Sequence, residues 1–305
     1  MLLEAAKILA PVVLLLAFGR VLGSGRFSRS GRPPDLTVAS WMALYVFAPC
    51  QVFSGLIGAM FRPGEVLELF LAVSVSLLTL AGLALLSARA LGRQDSFRHP
   101  FLLTVLFANT GYYGLPVCYL AFGKEGFAVA AVYMVCASIL TNTVGVYLAA
   151  RGGASRAQAL ATTVRSPILW SLVLSFAVKA AGIDRPAWAF LAIDWIAYGA
   201  IPLVLVLLGA QLARLEPARD LKPIVCSAAL RLAAGPAIGA GVAALFGFPQ
   251  LVRQVFVVES AMPTAVIVGL FALTFDSEPQ FVSGAVLFST LVSPLTLLVV
   301  LTLIR

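Results

Sequence analysis

The feature that most constrains this chain is a succession of apolar stretches, each about as long as a bilayer is thick. A transmembrane helix needs about 20 apolar residues, within a range of about 17–25. By that length the sequence predicts ten spans, at 3–22, 37–60, 66–88, 101–121, 126–149, 167–183, 188–211, 222–246, 251–273 and 280–304. Only 11% of the residues are charged, against roughly 25% in soluble domains, so they cannot cover a water-facing surface. The sequence therefore predicts an all-α integral membrane protein.

The distribution of basic residues predicts how these spans are oriented. The loops after spans 1, 3, 5 and 7 together hold 13 Lys or Arg residues, whereas the opposite side, including both termini, holds 7. Because cytoplasmic loops carry the excess of basic residues, both termini are predicted on the non-cytoplasmic side of a bacterial inner membrane. These loops also account for the net charge of +8, so the charge points to no nucleic-acid partner. The first apolar stretch lacks a small-residue cleavage site and is interpreted as a retained span, not a signal peptide.

The prolines indicate that the chain consists of two related halves. Three prolines in each half follow similar spacings, namely Pro11, Pro49 and Pro116, and Pro167, Pro202 and Pro263. Since five spans per half is an odd number, the second half would enter the membrane with opposite polarity, as in the inverted repeats of many secondary transporters. We therefore predict a first five-helix repeat at 1–150, a cytoplasmic hinge loop at 151–166 and a second, inverted repeat at 167–305.

Two of the spans contain breaks that an ordinary helix does not accommodate. Span 4 has Asn109, Gly111, Gly114 and Pro116 within eight residues, and span 9 contains Glu-Ser-Ala-Met-Pro-Thr-Ala at 259–265. Proline lacks an N–H and clashes with the carbonyl four residues back, and glycine weakens a helix. One such break would be interpreted as a kink that allows close packing. Two breaks at matching places favour a functional discontinuity, in which the freed backbone groups of spans 4 and 9 meet and cross.

The physics of such a crossing favours an anion. Leu115-Pro116 and Met262-Pro263 are each expected to restart a helix, because proline suits the first helical turn. The positive ends of both restarted helices would then point toward the membrane centre. The candidate substrate-binding residues are Asn109, Thr110, Gly111, Tyr112, Tyr113, Pro116, Asn142, Ser260, Pro263 and Thr264. For the two tyrosines ordinary packing is an equal alternative, and for Asn142 the alternative is a bridge between helices.

Two charged residues within the spans each have two interpretations. A carboxylate at Glu259 is costly at that depth, and desolvation favours its protonated form. Glu259 is therefore a candidate for ion coupling, and the alternative is a structural carboxyl that hydrogen-bonds the broken backbone. Arg231 lies about a third of the way into span 8 and is expected to extend its charged head to the interface. The alternative for Arg231 is pairing with a carboxylate or a substrate.

Motifs of enzyme chemistry are missing from the sequence. It contains no Gly-x-x-x-x-Gly-Lys-Ser/Thr phosphate loop, no Gly-x-Ser-x-Gly elbow and no His-Glu-x-x-His metal site. The four cysteines all lie in apolar spans without a Cys-x-x-Cys pairing: Cys50, Cys118, Cys136 and Cys226. This pattern is typical of small buried side chains and not of a disulfide framework or a zinc site. We therefore predict no enzyme activity, no cofactor and no metal.

Five motifs carry a resemblance to a known family: 109–117 (Asn-Thr-Gly-Tyr-Tyr-Gly-Leu-Pro-Val), 202–212, 231–236, 259–266 and 284–297. With these motifs the chain resembles the compact bacterial form of the auxin efflux carrier family. The resemblance implies a ten-helix fold like that of bile-acid symporters and sodium/proton antiporters, with crossed broken helices and elevator-type alternating access. It also implies transport of organic anions such as malonate, malate or auxin-like carboxylates. Asn109, Pro116 and Pro263 fall on the family's substrate-site and crossover positions, whereas the family often has a non-acidic residue in place of Glu259.

The resulting hypothesis is a secondary active transporter, an efflux carrier or exchanger, of small organic anions. The alternative is a proton- or sodium-coupled symporter or antiporter of the same fold, with Glu259 in the coupling site. A receptor that binds an anion without moving it is disfavoured, because no loop is long enough for a signalling domain. The expected partners are the anion and the lipid bilayer. A homodimer is compatible with the fold, although no interface signature is readable in the sequence.

Overall fold

The structure is a computed structural model, and it describes residues 2–25, 33–57, 63–92, 95–149, 165, 167–182, 187–215 and 220–304. Within these ranges the regular structure is helical and includes no strand. The predicted hinge loop at 151–166 lies outside the described residues, apart from Arg165.

Twelve helical sections follow one another in the described part of the chain. They are α1 (Leu2–Gly23), α2 (Thr37–Ile57), α3 (Pro63–Ala90), α4 (Arg98–Leu106), α5 (110–122), α6 (124–149), α7 (Pro167–Ala180), α8 (Ala187–Leu212), α9 (Leu221–Leu245), α10 (Gln250–Ser260), α11 (Val266–Thr274) and α12 (Pro279–Leu303). The boundary between α5 and α6 is Gly123, whose φ of 69° and ψ of −157° bend the chain within one long helical stretch.

Seven stretches among the described residues are long and apolar enough to cross a membrane. They are Leu2–Gly23, Thr37–Ile57, Gly64–Ala90, Thr110–Ala149, Phe190–Leu212, Leu221–Leu245 and Pro279–Leu303. The predicted spans 4 and 9 are each divided into two short helices, and α7 has only 14 residues. The chain is therefore a multi-pass membrane protein, as its composition predicts. The count of ten spans and their inverted repeat stay predictions.

Four π-helical turns widen the helices at Ala43–Phe47, Thr110–Gly114, Thr141–Gly145 and Leu230–Ala234. Three of them end two residues before a proline, namely Pro49, Pro116 and Pro236. A proline inside an α-helix cannot donate a hydrogen bond and its ring meets the carbonyl one turn back. Because a π-turn already displaces that carbonyl from α-helical register, the helix continues past the proline. The sequence reveals the proline but not this accommodation.

Small residues fix the contact between α1 and α8. A Cβ atom added at Gly19 would lie 2.1 Å from the carbonyl oxygen of Val206, and one added at Gly209 would lie 2.1 Å from that of Leu16. Backbones approach this closely only where the side chain is a hydrogen, as is common between membrane helices. The helix α10 packs against α9 and against the stretch formed by α5 and α6, and α4 packs against α3, α9 and α12. These helices surround the two short segments that interrupt spans 4 and 9, namely 107–109 and 261–265.

Candidate functional site

The two interrupted segments, 107–109 and 261–265, lie against each other. Ala108 and Thr264 form an isolated antiparallel bridge. The amide of Asn109 donates to the carbonyl oxygen of Pro263 at 2.7 Å, and that of Ala265 donates to Phe107 at 2.9 Å. All of these are backbone groups that the breaks free from helical hydrogen bonding, and each needs a partner inside the protein. The backbone groups at each break therefore find their hydrogen-bond partners at the other break.

The prediction that each proline restarts a helix is confirmed for Pro116 and wrong for Pro263. After the first break a π-turn begins at Thr110, where the carbonyl of Asn109 accepts from the amide of Gly114 at 3.0 Å. The α-helix follows directly at Leu115, with Pro116 in its first turn. Pro263 lies in the extended crossing, where its missing N–H costs nothing, and α11 begins only at Val266. Both helices still begin at the crossing, with their positive ends there.

The carbonyl groups at the C-terminal end of α4 find their partners in the second half of the chain. The hydroxyl of Thr264 donates to the carbonyl oxygen of Thr104 at 2.8 Å. Nη1 of Arg231 donates to the carbonyl oxygens of Val105 and Leu106, each at 3.1 Å. The last carbonyls of any helix lack partners within the helix. Here they are capped by side chains from α9 and from the second crossing segment.

Arg231 also caps α10, because its Nη2 donates to the carbonyl oxygen of Ser260 at the end of that helix. Its guanidinium therefore lies between the negative ends of two helices, a position that favours a cation. The side chain is only 4% exposed, so the prediction that it extends to the membrane interface is wrong. Gly235 provides the space, since a Cβ there would lie 2.6 Å from both Nη2 and the carbonyl of Ser260. The broken helices hold Arg231 inside the protein.

The guanidinium of Arg231 lines a cavity of about 40 Å³ beside the crossing. Its polar wall consists of Ser76, Thr110, Tyr133, Thr141, Arg231 and Ser260. The hydroxyls of Tyr133 and Ser260 lie 3.3 Å apart, whereas Nε of Arg231 and Oγ of Ser76 are buried without a hydrogen-bond partner among the described residues. No carboxylate in the described part of the chain forms an ion pair with Arg231. The remaining wall is apolar and includes Val73, Leu77, Leu80 and Ile238.

The predicted site residues are distributed over three environments. Thr110 and Ser260 line the cavity, and the crossing itself contains Asn109, Pro263 and Thr264. The side-chain amide nitrogen of Asn109 is buried and has no partner among the described residues. The others do not line the cavity: Gly111, Tyr112, Tyr113, Pro116 and Asn142.

The two tyrosines of the first break point to different helices. Tyr112 packs beside Ala43 of α2 and Val204 and Leu207 of α8. Tyr113 is fully buried, and its hydroxyl accepts a hydrogen bond from Ser293 of α12 at 3.2 Å. The interpretation as packing aromatics, which the sequence left open, therefore describes both in this structure. In their place the cavity uses Tyr133, which lies in a regular helix and has no distinguishing sequence signal.

Glu259 lies on another side of α10 from the cavity and is completely buried. The thiol of Cys118 donates to its Oε1 at 3.5 Å, and Oε2 has no partner among the described residues. A Cβ atom at Gly114 would lie 2.2 Å from Oε2, so glycine at that position makes room for the carboxyl group. Glu259 thus holds a buried carboxyl group, and the next residue, Ser260, lines the cavity.

Replacing Thr264 with Val is expected to lower the free energy of unfolding by about 1–3 kcal/mol, because it removes a buried hydrogen bond and leaves the carbonyl of Thr104 unpaired. Val has nearly the same shape, so packing should change little. Thr274→Val is the matched control, since the hydroxyl of Thr274 is exposed and bonds to Leu270 of its own helix. Unfolding of both variants in detergent, followed by tryptophan fluorescence, measures the difference. Equal stabilities would contradict a structural role for the bond at Thr264.

With this geometry described, comparison with known proteins identifies the family. The model of the family described as membrane transport protein matches residues 5–301. The chain belongs to this family. It is the auxin efflux carrier family that the sequence motifs resemble.

Two relatives are transporters by their names. An uncharacterized transporter of Methanothermobacter thermautotrophicus is 25% identical over 264 residues, which cover 86% of this chain and 87% of the relative. An uncharacterized transporter of Methanocaldococcus jannaschii is 23% identical over 200 residues, which cover 64% of this chain and 65% of the relative. This membrane transport protein is thus similar to archaeal proteins over most of its length.

Proposed function

We propose that this membrane transport protein is a secondary active transporter that carries small organic anions, such as malonate, malate or auxin-like carboxylates. The observation that carries the proposal is the buried guanidinium of Arg231, which lines a cavity and has no carboxylate partner among the described residues. Membership of a transporter family supports the general activity. The cavity chemistry supports the class of substrate.

Burial makes the charge of Arg231 expensive unless an anion compensates it. Removing a charge from water costs several kcal/mol, and buried charges in membrane proteins are nearly always paired. Three backbone carbonyls compensate part of the charge, but they are dipoles and one N–H remains without a partner. A carboxylate accepts short, charge-assisted hydrogen bonds from a guanidinium. The hydroxyls of Ser76, Tyr133 and Ser260 would add donors around it.

Alternating access is proposed as the means of transport. A buried water molecule needs about 10–15 Å³ of cavity volume, so a cavity of about 40 Å³ holds a few waters and not an organic anion. The site must therefore open for loading. The cavity is lined by α3, α6, α9 and α10, all of which we assign to the moving body. We place α1, α2, α7 and α8 in a scaffold, against which the crossing moves as a body in an elevator-type transition. On the basic-loop rule, both termini lie outside a bacterial inner membrane.

Counterflow in proteoliposomes tests the proposed function. Vesicles loaded with malonate, malate or indole-acetate are diluted into a trace of the same radiolabelled anion, and uptake of the label is followed. We expect saturable exchange of at least one of the three anions, because each has a carboxylate that can compensate Arg231. Protein-free vesicles give the background. Label uptake no faster than this background for all three anions, in vesicles whose protein is folded, would overturn the proposal.

A further inference from the structure

Glu259 is a second buried ionisable group at the crossing, beside the cavity wall at Ser260. Its carboxyl group is fully buried, and in the described part of the chain it forms no ion pair. The thiol of Cys118 donates to Oε1 at 3.5 Å, and the carboxyl group lies so close to Gly114 that a Cβ added there would be 2.6 Å from Oε1. Burying a bare carboxylate costs far more than burying a neutral acid. Oε2 is left without a partner among the described residues, so one oxygen is free to hold a proton.

From this arrangement we propose that Glu259 carries one proton with each transported anion. The inference rests on the proposed function and adds its coupling ion. Glu259 ends α10 together with Ser260, whose hydroxyl and carbonyl face the cavity and Arg231. A movement that carries the anion on this helix end therefore carries the carboxyl group as well. The geometry makes the protein a proton–anion symporter.

The chemistry around Glu259 favours a proton over a sodium ion. Hard cations take several oxygen ligands, whereas the side chain that contacts this carboxyl group is a thiol. No group of three His, Cys, Asp or Glu side chains that could hold a metal ion occurs among the described residues. Protonation at Oε2 removes the charge of the carboxylate, and Oε1 still accepts from the thiol of Cys118.

The titratable groups on the elements packed against α10 leave Glu259 as the carrier. Cys118 belongs to α5, Tyr133 and Cys136 to α6, and Arg231 to α9. The stretch Pro279–Leu303 of α12 contains no titratable residue. Among the described residues of these elements the other carboxyl group is Glu125 of α6, which is exposed, so Glu259 is the buried one.

The proton and charge balance is simple. On the loading side the Glu259 carboxylate takes up one proton from water as the anion pairs with Arg231. On the opposite side the neutral acid returns that proton to water and the anion leaves. In the loaded movement Glu259 is neutral and Arg231 is paired with the anion. In the return movement the empty carrier holds the Glu259 carboxylate and the Arg231 cation, whose charges sum to zero, so each cycle moves one proton and one anion.

The test measures accumulation at zero membrane potential, which is clamped with valinomycin and equal potassium on both sides. The probe is whichever of malonate, malate or indole-acetate exchanges fastest, and protein-free vesicles correct for passive leakage. For one proton per anion, a gradient of one pH unit should concentrate the anion about tenfold on the alkaline side. In Glu259→Gln, which resembles the neutral acid, the ratio should fall to about one while anion exchange persists. Glu125→Gln, at an exposed position of α6, is the control and should accumulate like the wild type.

The outcomes separate this inference from the proposed function. Exchange by the wild type without any response to the pH gradient would overturn the proton symport alone, as would accumulation driven by a sodium gradient. A Glu259→Gln variant that still accumulates the anion tenfold would overturn the role of Glu259. If Glu259→Gln loses exchange as well, two other measurements test the inference. The wild type and Glu259→Asp, which keeps an acid, should both accumulate the anion tenfold, and a ratio of about one in the wild type would overturn proton symport. Absence of exchange for all three anions overturns the proposed function, and this inference falls with it.

Discussion

Replacing Arg231 with Gln is expected to abolish transport and to weaken anion binding by roughly 30-fold to several thousand-fold. Among the described residues that line the cavity, Arg231 is the one cation, and removing one partner of a buried charge pair costs about 2–5 kcal/mol. Arg231→Lys keeps a charge but loses the planar fork that reaches both helix ends and the cavity, so we expect only partial recovery. Thermal shift of the purified protein across malonate, malate and indole-acetate measures binding, and counterflow measures transport.

The control for Arg231 must separate lost binding from lost structure, because the same side chain caps α4 and α10. Arg253→Gln removes a positive charge from an exposed position of α10 and should leave binding and transport unchanged. Arg231→Gln should unfold at a lower temperature than the wild type, yet still purify as a discrete species. The decisive comparison is the ligand-induced shift of each variant, measured against its own unliganded protein. An unchanged shift in Arg231→Gln would show that the anion binds elsewhere.

The location of the breaks could be predicted from the sequence, because their causes are local. Proline and glycine weaken the turn that contains them, and several such residues fall together at each break, whereas the single prolines Pro11 and Pro202 lie inside continuous helices. Where each helix resumes depends on tertiary structure. Pro116 lies in the first turn of an α-helix that follows a π-turn. Pro263 lies in the crossing, where its carbonyl oxygen accepts a hydrogen bond from the amide of Asn109. The same residue type thus has two structural roles, and the sequence alone does not separate them.

The site was only partly predictable for a related reason. Thr110 and Ser260 are adjacent to the breaks, so proximity in sequence was enough to find them. The depth of Arg231 in span 8 predicts that its charged head lies at the membrane interface. Its actual partners are carbonyls that exist only because two other helices end beside it. Tyr133 belongs to a regular helix and reaches the cavity through packing alone.

Replacing Gly114 with Ala is expected to lower the free energy of unfolding by about 1–3 kcal/mol. Because the added carbon displaces the carboxyl group of Glu259, we also expect the variant to lose proton coupling. The added Cβ would lie 2.2 Å from Oε2 of Glu259 and 2.6 Å from Oε1. The end of a glutamate side chain moves easily in water, but this one is completely buried and an extra carbon must displace its neighbours. Gly82→Ala on α3 is the control, because its Cβ would meet nothing within 4 Å.

A compensating change tests whether Glu259 is the cause of that loss. Glu259→Asp shortens the side chain by one carbon, so the pair Gly114→Ala with Glu259→Asp restores the total volume between α5 and α10. We expect the double variant to be more stable than the sum of the two single effects predicts, by 0.5 kcal/mol or more, since contacting residues couple on that scale. Unfolding of the four proteins in one detergent measures this coupling. Strictly additive effects would mean that residue 114 acts on something other than the carboxyl group of Glu259. A stabilising interaction energy between the two substitutions would show that Gly114 of the first break contacts Glu259 of the second, and hence that the two breaks depend on each other for stability.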